Sequence, residues 1–138
     1  MSKLFVVFEL SHDSNPAHGV YTTLTLAVLS AIRVEENAAT DDGLSIEVFD
    51  ADQDIQLENV NYEQDTSTIP KYIDREVLRV ERIYDNDITI QITVSNPHVA
   101  ELQIDIVTLI DEVCAKSGFN IKTIRRFEDV DYFELYKE

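Results

Sequence analysis

Val99, Leu102, Ile106, Leu109 and Val113 are spaced by three, four, three and four residues. Such spacing lines one side of an α-helix, because a 3.6-residue period brings those positions into one stripe. Pro97 suits the first helical turn, where its missing N–H costs nothing, and Ser95 or Asn96 can cap it. Gly118 is a stop signal. The spacing predicts one helix over 97–117. A helix with a single apolar side must lay it on another element, and the rest of the chain supplies strands.

Residues 3–10 form a nearly continuous apolar run with Val and Phe, which predicts a strand buried on both faces and central in its sheet. Ser11 to Gly19 reads as a loop, with Asp13, Asn15, Pro16 and Gly19 as turn residues. Residues 20–36 read as a helix with Leu24, Ala27, Val28, Ala31 and Glu35 on one face. Their Thr-rich start (Thr22, Thr23, Thr25) would also suit a strand. Asn37 to Gly43 is a loop. Leu44 to Phe49 is a strand with Leu44, Ile46 and Val48 on one face. Asp50 to Pro70 lacks periodicity and reads as an extended, exposed excursion. Glu76–Tyr84 and Ile88–Val94 alternate around Asp85-Asn86-Asp87, the pattern of a hairpin. Asn120–Phe127 is another strand, and Tyr132–Tyr136 pairs back across Glu128-Asp129. The order predicts a single α+β domain over 1–138. Its expected plan is ferredoxin-like (split β-α-β): an antiparallel-dominated sheet, two helices on one face and an acidic insertion at about 50–70.

Charge is distributed unevenly. The chain carries 27 acids against 11 Lys and Arg, a formal net charge of −16. Residues 34–70 contain eleven acids and no base, whereas residues 1–33 are balanced at two acids and two bases. Direct nucleic-acid binding is disfavoured by that sign. No stretch approaches the ~20 apolar residues of a membrane span. The apolar start is too short for a secretion signal, and the single Cys114 forms no internal disulfide. The cytoplasm is the expected location.

Motifs for catalysis are missing. Gly19, Gly43 and Gly118 stand alone, so no phosphate-cradling loop exists, and GxSxG, HExxH and CxxC do not occur. His12, Asp13 and His18 fall in one loop, but their spacing matches no standard zinc set and polar turn residues explain them. Asp50, Asp52 and Asp54 open like a calcium loop, yet Ile55 stands where glycine is needed and Asn61 where glutamate is needed. Cys114 beside Val113 reads as a small buried apolar residue. Lys71, Arg75, Arg79 and Arg82 alternate with Asp74, Glu76 and Glu81 as a solvated, ion-paired face. No cofactor is expected, and no metal is expected to be needed for folding.

The acidic block remains, and its ordinary use would be solubility. The sharper expectation is a docking surface for a basic partner, formed by Asp41, Asp42, Glu47, Asp50, Asp52, Asp54, Glu58, Glu63 and Asp65. In an extended segment Asp50, Asp52 and Asp54 project on one side, ~6.6 Å apart. Phosphates along one DNA strand rise ~3.4 Å each, so alternate carboxylates match every second phosphate. In general character this small, acidic chain is similar to phage anti-restriction and anti-CRISPR (anti-defence) inhibitors and to nuclease-toxin immunity proteins. No motif assigns it to one family. The leading expectation is an acidic interaction or inhibitor protein, a DNA mimic occupying the basic nucleic-acid-binding surface of a partner enzyme. Two alternatives stand beside it: an oligomeric small-molecule-binding enzyme or sensor, and a structural or chaperone-like subunit.

Overall fold

Alternation of apolar side chains along the strands builds one sheet with one deeply apolar face. The computed structural model describes residues 3–10, 16–37, 40, 42–51, 75–83 and 87–137. Seven strands and three helices follow in order within them: β1 (Lys3–Glu9), β2 (Ala17–Tyr21), α1 (Leu24–Asn37), β3 (Leu44–Asp50), β4 (Glu76–Arg82), β5 (Ile88–Thr93), α2 (Pro97–Glu101), α3 (Ile106–Ser117), β6 (Asn120–Phe127) and β7 (Val130–Tyr136). The sheet order is β2-β1-β3-β4-β5-β7-β6, and every neighbouring pair is antiparallel.

Phe5 and Val7, Ile46 and Val48, Leu78 and Val80, Ile88 and Ile90, and Phe133 and Leu135 share one face and are buried. Leu24, Ala27, Val28, Ala31 and Ile32 of α1 and Leu109, Ile110 and Val113 of α3 belong to the same cluster, so both helices lie on that face. On the opposite face Val6, Phe8 and Phe49 make a smaller apolar cluster, in which the Phe8 and Phe49 rings meet edge-on at 6.4 Å. Strand β1 is therefore buried on both faces, as its sequence predicts.

Each helical crossover skips a strand. Strands β2 and β3, joined by α1, are parallel to one another and lie on either side of β1. Strands β5 and β6, joined through α2 and α3, lie on either side of β7 in the same way. The split β-α-β unit thus occurs twice. In a ferredoxin-like sheet two such units interleave; here they lie side by side, joined by the β3-β4-β5 meander. Strand β2 is the cause, because the loop expected over Ser11–Gly19 ends in a strand that reverses the chain before α1. Gly19 permits it: the Tyr21 ring lies 2.7–3.0 Å from where a Cβ would stand. The Tyr21 hydroxyl then donates to Ser30 Oγ of α1 at 2.8 Å. The expected excursion to Pro70 lies outside the described residues beyond Ala51.

The helix expected over 97–117 is two helices. Asn96 caps α2, accepting from His98 N at 2.9 Å, and its amide donates to the Glu76 and Val77 carbonyls of β4 at 2.9 and 3.2 Å. After Leu102 the chain turns at Gln103, φ 54°. Gln103 N–H donates to the Ala100 carbonyl at 3.1 Å and Ile104 N–H to the Val99 carbonyl at 3.2 Å, the paired bonds of a Schellman end. Asp105 then caps α3 by accepting from Thr108 N at 3.2 Å. The apolar stripe runs through the break, so periodicity alone conceals it. Gly118, φ 83°, closes α3 as expected.

A left-handed conformation costs a non-glycine residue ~1–2 kcal/mol. Gln103→Gly relieves that strain and gives back part of it in unfolded-state freedom. The variant should be about 0.5–1 kcal/mol more stable in chemical denaturation, with an unchanged denaturant slope.

Candidate functional site

Acidic residues fall into three physical settings. The first is burial. Glu35, on the core side of α1, has no exposed surface. Its Oε1 accepts from the Thr40 amide at 3.3 Å and from the Thr40 hydroxyl, and its Oε2 accepts from Arg82 N of β4 at 2.9 Å. Arg82 Nη1 also donates to the Glu35 carbonyl, at 3.4 Å. Thr40 Oγ1 in turn accepts from Gly43 N at 3.0 Å. One carboxylate thereby ties the end of α1, the turn into β3 and the edge of β4 together. Glu35 is a structural acid; it does not belong to a docking surface.

The second setting is ion pairing. Lys3 pairs with Asp50 and with Glu101 (3.5 Å), Arg79 with Glu76 (2.8 Å), and Lys116 with Glu112 (3.3 Å). Lys122 pairs with Asp87 (3.0 Å), Arg125 with Glu134 (2.5 Å), Arg126 with Asp131 (2.6 Å), and Lys137 with Glu36 (3.5 Å). The Arg126 hydrogen bond and charge hold the Asp131 carboxyl below the usual carboxylate range. Most of these bases neutralise acids outside residues 34–70.

The third setting is the acidic block itself. Asp42 is exposed at the turn before β3. Glu47 is half-buried on the sheet face away from the helices, level with Val6 of β1 and Glu76 of β4. Asp50 ends β3 on the helix side, opposite Lys3. Glu47 and Asp50 therefore point to opposite faces, and the structure does not bring them together. Asp41, Asp52, Asp54, Glu58, Glu63 and Asp65 lie outside the described residues.

Lys3, Asp50, Arg75, His98 and Glu101 line a cavity of about 140 Å³. Arg75 stacks its guanidinium 5.1 Å from the Phe49 ring centre. No motif announces this cluster, because β1, β3, the entry to β4 and α2 each contribute from distant parts of the chain. Its volume falls well short of the ~300 Å³ at which small-molecule sites begin. A groove between α1 and α3, lined by Leu26, Leu29, Arg33 and Lys116 among others, measures about 300 Å³. It carries no convergent acid, base and nucleophile.

Among the described residues, candidate catalytic groups are not assembled. His18 sits on β2 with Nε2 2.8 Å from Glu9 Oε1, while His12 and Asp13 lie outside the described residues. Among the described residues no three His, Cys, Asp or Glu side chains converge on a metal-sized space. Cys114 packs against the core, and burial together with the nearby Asp111 raises its thiol above the ordinary value. A thiol so raised is a poor nucleophile at neutral pH. No described helix is long and apolar enough to cross a membrane.

Compared with known proteins, the chain matches no family model, no curated protein and no solved structure.

Removing the Glu35 carboxylate leaves the Arg82 amide and the Thr40 donors buried without an acceptor. Glu35→Ala should lower stability by roughly 2–3 kcal/mol, and Glu35→Gln by less, since one oxygen still accepts. Urea melts of the two variants check this order.

Proposed function

We propose that this protein is an acidic interaction module that docks on the basic, nucleic-acid-binding surface of a partner enzyme and so inhibits it. One observation carries the reading: residues 34–70 hold eleven acids and no base. The described fold adds support, because Arg79, Lys116, Lys122, Arg125 and Arg126 pair with acids outside the block, whereas Lys3 and Lys137 pair with acids within it. Concentrated like charge opposes folding, so a use for the field accounts for its retention. The sheet serves as a scaffold; the split crossovers are the part of a ferredoxin-like plan it retains, and such folds host many unrelated functions.

Structure refines the set of carboxylates to test. Asp50 is tied to Lys3 and Glu35 is internal, so neither is a clean probe of docking. Asp52, Asp54, Glu58 and Glu63, four successive acids after β3, are chosen from those that remain. Replacing all four by Asn or Gln preserves size and removes four charges. Wild type on an affinity matrix should retain a basic nucleic-acid-binding protein from lysate at low salt and release it at high salt. With that purified partner, the quadruple variant should associate several-fold more slowly at low ionic strength, with a flatter salt dependence. Its melting temperature should stay near wild type or rise slightly as repulsion is relieved. Unchanged association by a folded variant removes these residues from the surface.

A small-molecule enzyme is the weaker reading, given the size of the polar cavity and the inert setting of Cys114.

A further inference from the structure

Strand β6 closes the sheet at the end farthest from β2, and no described strand pairs with its outer side. It spans eight residues and is exposed at all of them but Thr123. Exposed edges of this length invite another strand, because half of their backbone N–H and C=O groups point away from the sheet. Natural edges are blunted by charged side chains, proline, bulges, short length or cover. Here Ile124 and Phe127 are also 57% and 68% exposed, with Ile121 beside them.

The charge of this edge is opposite to that of the molecule. Residues 118–127 contain Lys122, Arg125 and Arg126 and no acid. All three side chains are more than half exposed. Each leans on an acid of its own chain, Asp87, Glu134 or Asp131. Arg126 grips Asp131 through two bonds, at 2.6 and 3.1 Å. The Lys122–Asp87 and Arg125–Glu134 contacts are single, and a guanidinium has five donors, more than one carboxylate engages. Asp87, Asp131 and Glu134 offset these cations one for one, while the acidic block lies too far off to add to them. Strand β3, where the block enters the sheet, is four strand spacings away. That is ~19 Å, against a screening length of ~8 Å at physiological salt.

We propose that β6 is a docking strand for an extended, acidic segment of another protein, which adds to the sheet edge by backbone pairing and is held in place by Lys122 and Arg125. The alternation of β6 sets the pattern of the guest. Ile124 lies level with Phe133 and faces the helix side, whereas Arg125 lies level with Tyr132 and faces the other. A guest that alternates apolar and acidic residues puts the first beside Ile124 and the second beside Arg125. A second copy paired β6 to β6 would set six cations along one seam, and like charges across strands repel. A basic segment meets the same repulsion. This edge is thus distinct from the acidic block in place and in sign.

A ten-residue peptide of alternating glutamate and valine, blocked at both ends, is the probe. Two controls accompany it: lysine in place of glutamate, and the glutamate peptide methylated at every backbone nitrogen. Amide chemical shifts of the full chain are followed by NMR at low and physiological salt. The glutamate peptide should bind saturably, with the largest shifts over residues 120–127. Affinity should fall by at least about tenfold for the methylated peptide, which keeps charge but loses backbone donors. The lysine peptide should leave residues 120–127 unshifted. Failure of the glutamate peptide to saturate, equal binding of the methylated peptide, or shifts centred elsewhere overturns the proposal. Concentration-dependent dimerisation that is abolished by Ile124→Lys also overturns it, by assigning the edge to a second copy.

Discussion

Burial of one apolar sheet face sets the terms for everything else in this protein. That face runs from Phe5 and Val7 through Ile46, Val80 and Ile90 to Phe133 and Leu135, and only two helices of useful length cover it. Both must lie on the same side. Each crossover therefore leaves the sheet, crosses that face and returns beyond an intervening strand, β1 in one case and β7 in the other. The face away from the helices is then free to be polar across its middle, where Ser45 donates to Glu76 at 2.5 Å and Gln91 to Glu81 at 3.1 Å. Coverage also runs out at β6, which explains the exposure of Ile124 on its helix side.

Charge is organised on this frame by location. One acid, Glu35, is drawn into the core because three donors converge on it there. Others face lysines and arginines across strands and helices. Residues 34–70 are where acids accumulate without bases. Strand β6, at one edge of the sheet, carries three bases and no acid of its own. The chain is therefore unevenly charged as well as acidic, and the two proposed surfaces differ in sign.

Much of the fold is legible in the sequence because alternation and helical stripes are local. Leu44, Ile46 and Val48 read as one face of a strand and are buried as one. Asn120–Phe127 begins and ends where its residues say. The misreadings come from non-local physics. Pro16 and Gly19 signal a loop, yet pairing with β1 makes a strand of Ala17–Tyr21. The stripe over 97–117 is continuous, yet Asp105 competes as a cap and Gln103 accepts a left-handed turn. Glu35 reads as one more surface acid, because nothing nearby in sequence reveals the Arg82 amide that meets it. For the candidate site, local charge density shows in the sequence, but the opposed directions of Glu47 and Asp50 depend on strand parity and pairing.

The central claim is that the acidic block takes the place of nucleic acid on a partner. Direct competition tests it. Partner, labelled DNA and this protein are mixed at fixed ionic strength, and complexes are resolved by sedimentation. The account predicts mutually exclusive binding: DNA released in proportion to protein bound, with the apparent affinity of each falling as the other is raised. A stable ternary complex, with DNA and this protein on the partner together, would contradict it.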